Sequence, residues 1–135
     1  MDDRLREEVQ AWFDRAEEDR RSARALLKNE PRVTGVVCFH SQQLAEKALK
    51  AYLTAHKCQV EKTHDLTRLV TLCFEIDPEF ATLRFIADEL SPYAVRTRYP
   101  DDYRPSTLDD AKLALKKAER IMKFVKTKLD PTTLT

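Results

Sequence analysis

The chain has 135 residues, of which 42% are hydrophobic and 35% are charged. This is too much apolar content for a disordered chain and too much charge for a membrane protein, so we expect one soluble globular domain over residues 1–135. Lysine and arginine number 24 against 23 acidic residues. This balance excludes a strongly basic protein that coats DNA, but it is compatible with a local basic patch.

The glycine and cysteine content indicates the fold class and the cellular compartment. The single glycine is far below the usual share of about 7%. Because β-hairpins and dinucleotide-binding loops need glycine for positive φ angles, the composition favours an all-helical chain. The three cysteines form no Cys-x-x-Cys pair, so we expect reduced thiols in the core. Residues 1–10 are charged and contain no apolar run, which predicts a cytoplasmic protein without signal peptide or membrane span.

Three helices are predicted in the first half of the chain. The first covers about residues 3–28, where apolar side chains recur on one stripe, and it ends before Asn29-Glu30-Pro31. The second covers about residues 32–57 on the same criterion. The third begins after Thr63, whose hydroxyl is expected to cap the free amides, and ends near Ile76.

The fourth helix and a loop follow. Asp77-Pro78 is a capping residue followed by proline at the first helical position, and it opens the fourth predicted helix. Ser91-Pro92 kinks or ends that helix. Residues 96–105 have two prolines and no helical period, so they are predicted to form the one substantial loop.

The fifth predicted helix closes the domain. Ser106 and Asp109 resemble a capping box, and the helix runs from there to about Leu129, with residues 130–135 expected to fray beyond a core of about 3–129. Short connections between long amphipathic helices predict an all-α, up-and-down bundle of four long helices plus one short helix.

The histidines are candidate metal ligands by residue type. Cys38-x-His40 and His56-x-Cys58 each place two such ligands two residues apart, and residues at that spacing on a helix point about 200° apart, so neither pair chelates one ion. We predict no metal site and no cofactor. His40 has apolar neighbours and is expected to be a half-buried structural histidine, with a histidine phosphorelay as the alternative.

Cations concentrate where the predicted helices end. The set is Lys47, Lys50, Lys62, His64, Arg68, Arg96, Arg98 and Arg104. If the loop folds back towards the second helix, forked guanidinium donors and the amides that open the third helix can hold a phosphate. Solvated surface charge paired with neighbouring acids is the alternative.

Three blocks of sequence, taken in order, carry a family resemblance. They are Gln-Gln-Leu-Ala-Glu-Lys within residues 39–53, Lys-Thr-His-Asp-Leu at 62–66, and Arg-Thr-Arg-Tyr-Pro within 96–103. A Trp-x-x-x-Ala-x-x-Asp opening at residues 12–19 precedes them. Over about residues 9–129 this combination resembles the HEPN family, the higher-eukaryote and prokaryote nucleotide-binding domain.

The resemblance implies an all-α homodimer, often encoded beside a minimal nucleotidyltransferase as a two-gene, toxin-antitoxin-like module. Many members are metal-independent ribonucleases, with an arginine, four to six residues and then a histidine at a cleft shared by the two protomers. Arg98 or Arg96 matches that arginine, but Tyr103 stands where the histidine is expected. A tyrosine with the ordinary pKa of about 10 is a poor base at neutral pH.

The resemblance and the charge pattern together predict a nucleotide or RNA site. Its candidate residues are Lys50, Lys62, His64, Arg96, Arg98, Tyr99 and Tyr103. The arginines hold phosphate and the tyrosines stack on a base. We expect a binding protein that partners a nucleotidyltransferase and has little or no nuclease activity. The alternatives are a ribonuclease that uses Arg98 with His64 or Tyr103, and a pure protein-interaction bundle.

Four apolar residues widen the stripes of the second and fifth helices beyond what one bundle core needs. They are Val37, Tyr52, Leu113 and Phe124. We expect this surplus to form the homodimer interface.

Overall fold

The computed structural model describes residues 1–96 and 106–129, and for Arg96 the backbone alone. All regular structure in this part of the chain is helical, which confirms the predicted all-α bundle. The elements are α1 (Asp3–Asn29), α2 (Thr34–Ala55), α3 (Leu66–Ile76), a 3₁₀ segment (Pro78–Leu83), α4 (Arg84–Leu90), α5 (Tyr93–Arg96) and α6 (Leu108–Thr127). No described helix has both the length and the apolar character that crossing a membrane requires.

The start of α3 differs from the prediction. Asp65, not Thr63, caps the helix. Asp65 directly precedes the first helical residue, and its carboxylate accepts a hydrogen bond from the amide of Thr67 at 3.0 Å. Thr63 instead accepts the amide of Asp65 through its hydroxyl at 3.1 Å. A charged carboxylate at this position also meets the positive end of the helix dipole, which favours it over a hydroxyl.

The predicted helix start at Asp77-Pro78 is confirmed. The Asp77 carboxylate accepts the amide of Glu79 at 3.0 Å and lies 2.9 Å from the Lys128 ammonium. These two contacts, the amide first, lower the pKa of Asp77. The ion pair between Asp77 and Lys128 joins the start of the 3₁₀ segment to the residue that follows α6.

The capping box of α6 lies one residue later than predicted. Thr107 and Asp110 form it, each side chain bonded to the other's backbone amide. Ser106 contributes its carbonyl oxygen, which accepts the hydroxyl of Thr34 at 2.6 Å and so joins the beginnings of α2 and α6. Both serine and threonine are good capping residues, so the choice between adjacent positions depends on this tertiary contact.

The connection between α2 and α3 carries the chain back along α2. At the start of α3, the Gln42 side chain donates to the carbonyl oxygen of His64 at 2.8 Å, and further along, the Cys73 sulfur lies 3.9 Å from the carbonyl oxygen of Leu49. The two helices therefore run side by side in the same direction. The chain then returns through α4, whose Asp88 bonds the hydroxyl of Thr67. As a result, the start of α3, the end of α4 and α5 all meet beside the middle of α2.

An aromatic cluster fills the core at the opposite end of α3. The Phe80 ring is fully buried, with its centre 4.5 Å from that of Tyr52 and 5.0 Å from that of Phe124. The 3₁₀ segment thus supplies the side chain that joins α2 to α6. This explains why two of the apparently surplus residues are needed inside one bundle.

The predicted dimer surplus is therefore wrong for three of its four residues. Val37 and Tyr52 are buried, and Phe124 packs on Phe80, whereas Leu113 alone among the four is exposed, at 49%. The expectation treated the core as one stripe per helix and did not include the layer formed by the 3₁₀ segment and α4.

The cysteines are only in part core residues. Cys38 and Cys73 are buried, while Cys58, in the connection after α2, is exposed. Burial raises the pKa of the Cys73 thiol, since the thiolate would have to be desolvated.

We predict that Phe80→Ala lowers the free energy of unfolding by about 3–5 kcal/mol, because it leaves a cavity between two aromatic rings. Phe85→Ala is the matched control, since its side chain is 75% exposed and truncation should cost less than about 0.5 kcal/mol. Urea unfolding followed by circular dichroism measures both. Equal losses for the two variants would contradict the described core.

Candidate functional site

A buried carboxylate lies at the centre of the region where α2, α3 and α5 meet. Glu46 is 4% exposed. Its Oε1 accepts from His64 Nδ1 at 2.8 Å and from Gln42 Nε2 at 3.4 Å, and its Oε2 accepts from Lys50 Nζ at 3.1 Å. A charge taken out of water is tolerated only with such partners. The three donors make this carboxylate a fixed centre.

Helical spacing assembles most of this network within α2. Gln42, Glu46 and Lys50 follow one another at intervals of four residues, so their side chains lie on one face. Gln43 Nε2 donates to Gln42 Oε1 at 2.7 Å, which orients the amide of Gln42 with its nitrogen towards Glu46. Gln43, Gln42, Glu46 and Lys50 therefore form one continuous chain of hydrogen bonds. Lys47, the lysine within the Gln-Gln-x-x-Glu-Lys block, points instead to Asp19.

His64 is held at two points by α2. Gln42 bonds its carbonyl oxygen, and Glu46 bonds its ring. Because a carboxylate oxygen only accepts, the proton of this bond is on Nδ1, and in the neutral ring Nε2 is left as an acceptor. The side chain is 51% exposed. A ring fixed on its buried side thus presents its other nitrogen towards the surface.

A cavity of about 420 Å³ opens beside His64. Its lining residues are His64, Asp65, Thr67, Asp88, Ser91, Pro92, Ala94 and Val95. The Ser91 hydroxyl donates to Asp65 Oδ1 at 3.3 Å and accepts the amide of Leu66 at 3.0 Å, so α5 is tied to the start of α3. The cavity is a junction of chain segments that are far apart in sequence.

The structure brings some of the predicted site residues together. His64 lines the cavity, Lys62 is exposed two residues before it, and Arg96 directly follows Val95 of the cavity wall. Arg98, Tyr99, Tyr103 and Arg104 lie outside the described residues. Arg96, the first residue of the cationic segment, is therefore the one whose described backbone adjoins the cavity wall.

Lys50 does not fit the predicted phosphate contact. Its side chain is 7% exposed and its ammonium is bonded to Glu46, with the Trp12 ring centre 5.8 Å away. An anion could meet this ammonium only after displacing Glu46 from a buried position. Lys50 therefore stabilises the interior and is not available to a ligand at the surface.

Arg68 and Lys47 are also engaged in ion pairs. Arg68 lies 2.8 Å from Glu61, and its hydrogen bond lowers the pKa of that carboxyl. This pair is exposed, so solvent screens it and a phosphate could compete for the guanidinium. Lys47 lies 2.5 Å from Asp19, which is buried.

His40 is half-buried, as predicted. Its Nδ1 lies 2.8 Å from Asp19 Oδ1, and its side chain is 27% exposed. Asp19 takes Lys47 on its other oxygen, so this acid, like Glu46, has one histidine and one lysine as partners. In the described ranges, no group of three or more metal-ligating side chains is arranged to hold a metal ion.

Comparison with known proteins identifies the family of this chain. The family model of the HEPN domain matches residues 9–128. The chain belongs to the HEPN family. Among solved structures, TT1696 from Thermus thermophilus has 32% sequence identity and a TM-score of 0.77, with 90% of this chain and 98% of that chain covered. ST0689, described as an archaeal HEPN homologue, has 30% identity and a TM-score of 0.73 over the same shares. No curated protein sequence matches the chain.

Sequence reasoning found the blocks of this HEPN domain but not the partnership of His64 with Glu46. Glu46 belongs to one of those blocks, yet it was considered only as one of the acids that pair with solvated surface cations. A signal was present, because Gln42, Glu46 and Lys50 place polar groups on one face of a helix whose residues are mostly apolar. Buried polar groups require partners, so this face indicated that another segment must pack against it.

We predict that Glu46→Ala costs about 3–5 kcal/mol of unfolding free energy, because it leaves the Lys50 ammonium buried and unpaired. Lys50→Met in the same chain should recover part of that loss. The control is Glu61→Ala, which breaks an exposed pair and should leave the urea midpoint nearly unchanged. Similar midpoints for Glu46→Ala and Glu61→Ala would show that Glu46 does not carry a buried charge.

Proposed function

We propose that this HEPN protein binds a nucleotide or RNA at the cavity beside His64. The observation that carries the proposal is that His64 and residues of α5 line the same cavity. In sequence, α5 leads directly into the cationic segment of residues 96–104. Arg96, Arg98 and Arg104 of that segment would hold phosphate, and Tyr99 and Tyr103 would stack on a base.

The charge of the described cavity wall means that phosphate binding requires a contribution from that segment. Among its described lining residues the wall has two carboxylates, Asp65 and Asp88, and no lysine or arginine. A phosphate bound there needs positive charge from outside the wall, and Lys62, Arg68 and the arginines of residues 96–104 lie near its lining residues in sequence. The proposal therefore depends on those arginines more than on the cavity alone.

Our proposal includes a protein partner, a minimal nucleotidyltransferase encoded beside this chain in a toxin-antitoxin-like pair. The support is the family itself, since the resemblance implies that its members are often encoded beside such a protein. An adjacent reading frame with a Gly-Ser and an Asp-x-Asp motif, whose product co-purifies with this protein, is the expected finding. An unrelated neighbour and no co-purification would remove the partner from the proposal.

We also propose a homodimer whose interface lies beside the cavity, because the resemblance implies a cleft shared by two protomers. Val95 on the cavity wall is 49% exposed, and Val36 on α2, the helix against which α5 packs, is 44% exposed. Apolar side chains at these positions are suited to burial against a second copy.

We predict a dimer by light scattering at micromolar concentration and a monomer for Val36→Glu. Leu113→Glu is the matched control, since Leu113 is similarly exposed on α6. Wild-type protein that is monomeric would refute the dimer. A monomer produced by Leu113→Glu alone would refute the proposed face and retain the dimer.

We predict that Arg98→Gln weakens binding of a fluorescently labelled RNA about 10- to 100-fold, because a guanidinium–phosphate contact contributes about 1.5–3 kcal/mol. Arg15→Gln, on the exposed surface of α1, should leave affinity unchanged. Salt should weaken wild-type binding more steeply than binding by Arg98→Gln, because one phosphate contact fewer releases fewer counterions.

Equal affinity of wild type and Arg98→Gln, with a lower melting temperature for the variant, would make Arg98 a structural ion-pair residue. The phosphate site would then have to lie elsewhere. An absence of measurable RNA or nucleotide binding by the wild-type dimer would overturn the proposed function itself.

A further inference from the structure

A cavity of about 660 Å³ lies between the first half of α1 and the end of α2. It shares no described lining residue with the cavity beside His64, so it is separate from the proposed RNA site. Its volume is within the range of about 300–1,000 Å³ that is typical of small-molecule sites. Leu5 and Trp12 of α1, together with Val60 of the connection after α2, give it an apolar surface.

One polar group at this cavity has no partner. Thr54, in the last turn of α2, is 7% exposed and lines the cavity, yet its hydroxyl makes no hydrogen bond to a described residue. Arg6 Nε is the fully enclosed side-chain atom that lacks a partner in the described ranges, so the Thr54 oxygen is not sealed in and opens onto the cavity. Because buried hydroxyls are normally hydrogen-bonded, this one is suited to a bound molecule.

Two cations at the cavity are also available. Arg15 and Lys57 line it, both are exposed, and neither forms an ion pair with a described residue. Glu8 is the one acid among the described lining residues, and it lies 3.6 Å from Arg4. The two cations are therefore uncompensated within the cavity, which favours an anionic ligand.

The backbone of Lys57 is held in an unfavourable conformation. Its φ is 59°, and among the described residues it is the one non-glycine residue with a positive φ. Its amide bonds the carbonyl oxygen of Thr54, and the amide of Cys58 bonds that of Leu53, both at 3.0 Å. This pattern ends a helix with a left-handed residue, for which glycine is the best choice because it lacks Cβ. A lysine here gives up stability and places an ammonium at the cavity.

We propose that this cavity binds a small aromatic carboxylate. The aromatic body of the ligand packs on the Trp12 ring, which is fixed from inside by the core and by the Lys50 ammonium 5.8 Å from its centre. The carboxylate accepts from the Thr54 hydroxyl and is held by Arg15 and Lys57. The site plays no part in the function proposed above, so either proposal can fail without the other.

Trp12 is the single tryptophan of the chain, so its fluorescence reports on this cavity. The probe is 4-bromophenylacetate, whose bromine quenches the indole on contact, and it is titrated into the intact chain. We expect saturable quenching. The neutral 4-bromophenylacetamide has the same aromatic body and should bind at least about tenfold more weakly, because it cannot use the cations.

Two variants separate recognition from stability. Thr54→Val keeps the buried volume and removes the hydroxyl, so the affinity should fall about tenfold at an unchanged melting temperature. Lys57→Gly should weaken binding about fivefold and raise the melting temperature, because glycine adopts the left-handed conformation without strain. Lys116→Gln is the control, since Lys116 is exposed on α6 and does not line the cavity. It should leave the affinity unchanged.

Cys58 provides a second measurement at the same place. Its thiol is exposed and the residue lines the cavity, whereas Cys38 and Cys73 are buried. Saturating 4-bromophenylacetate should slow alkylation of Cys58 by iodoacetamide, and the amide at the same concentration should not.

Absence of saturable quenching by 4-bromophenylacetate would overturn the proposal. Equal affinity for the acid and the amide would also overturn it, because the cavity would then bind apolar molecules without recognising charge. Wild-type affinity in both Thr54→Val and Lys57→Gly would show that the ligand lies elsewhere.

Discussion

The buried charge of Glu46 needs hydrogen-bond donors, and this need constrains the path of the chain where α2, α3 and α5 meet. A carboxylate placed inside a protein requires donors from every side that it faces. One turn of α2 on either side supplies Gln42 and Lys50, but the third donor comes from His64, 18 residues further along the chain. The connection after α2 must therefore return to this point, and α3 begins where that return ends.

The helices of this fold could be predicted because their signals are local. Apolar spacing predicts α1, α2 and α6, and the aspartate–proline pair at residue 77 marks a helix start from chemistry contained in two residues. The choice between Ser106 and Thr107 as the cap of α6 could not be predicted, because it depends on the contact with Thr34 across the bundle. Burial of Tyr52 likewise depends on Phe80, which belongs to another layer.

The sequence indicated candidate residues of the site, but not the hydrogen bonds and ion pairs between them. His64 and the arginine-rich segment have the right chemistry and were identified from residue type and charge. Lys50 has the same chemistry, yet it is buried against Glu46. The charge pattern cannot distinguish a buried lysine from an exposed cation. Whether a lysine on α2 is buried depends on which part of α2 is covered by α1 and by the connection between α2 and α3. A periodic polar face on an apolar helix was the available clue.

The two acid–histidine–lysine groups also determine how α2 can be oriented. Buried apolar side chains surround much of this helix, and apolar packing is not directional, so a turn of about 100° with a shift of about 1.5 Å would exchange one apolar surface for another. Such a shift would separate Lys47 and His40 from Asp19 on α1, and Glu46 from His64. Polar contacts on both flanks therefore act together with core packing to fix the register of the central helix.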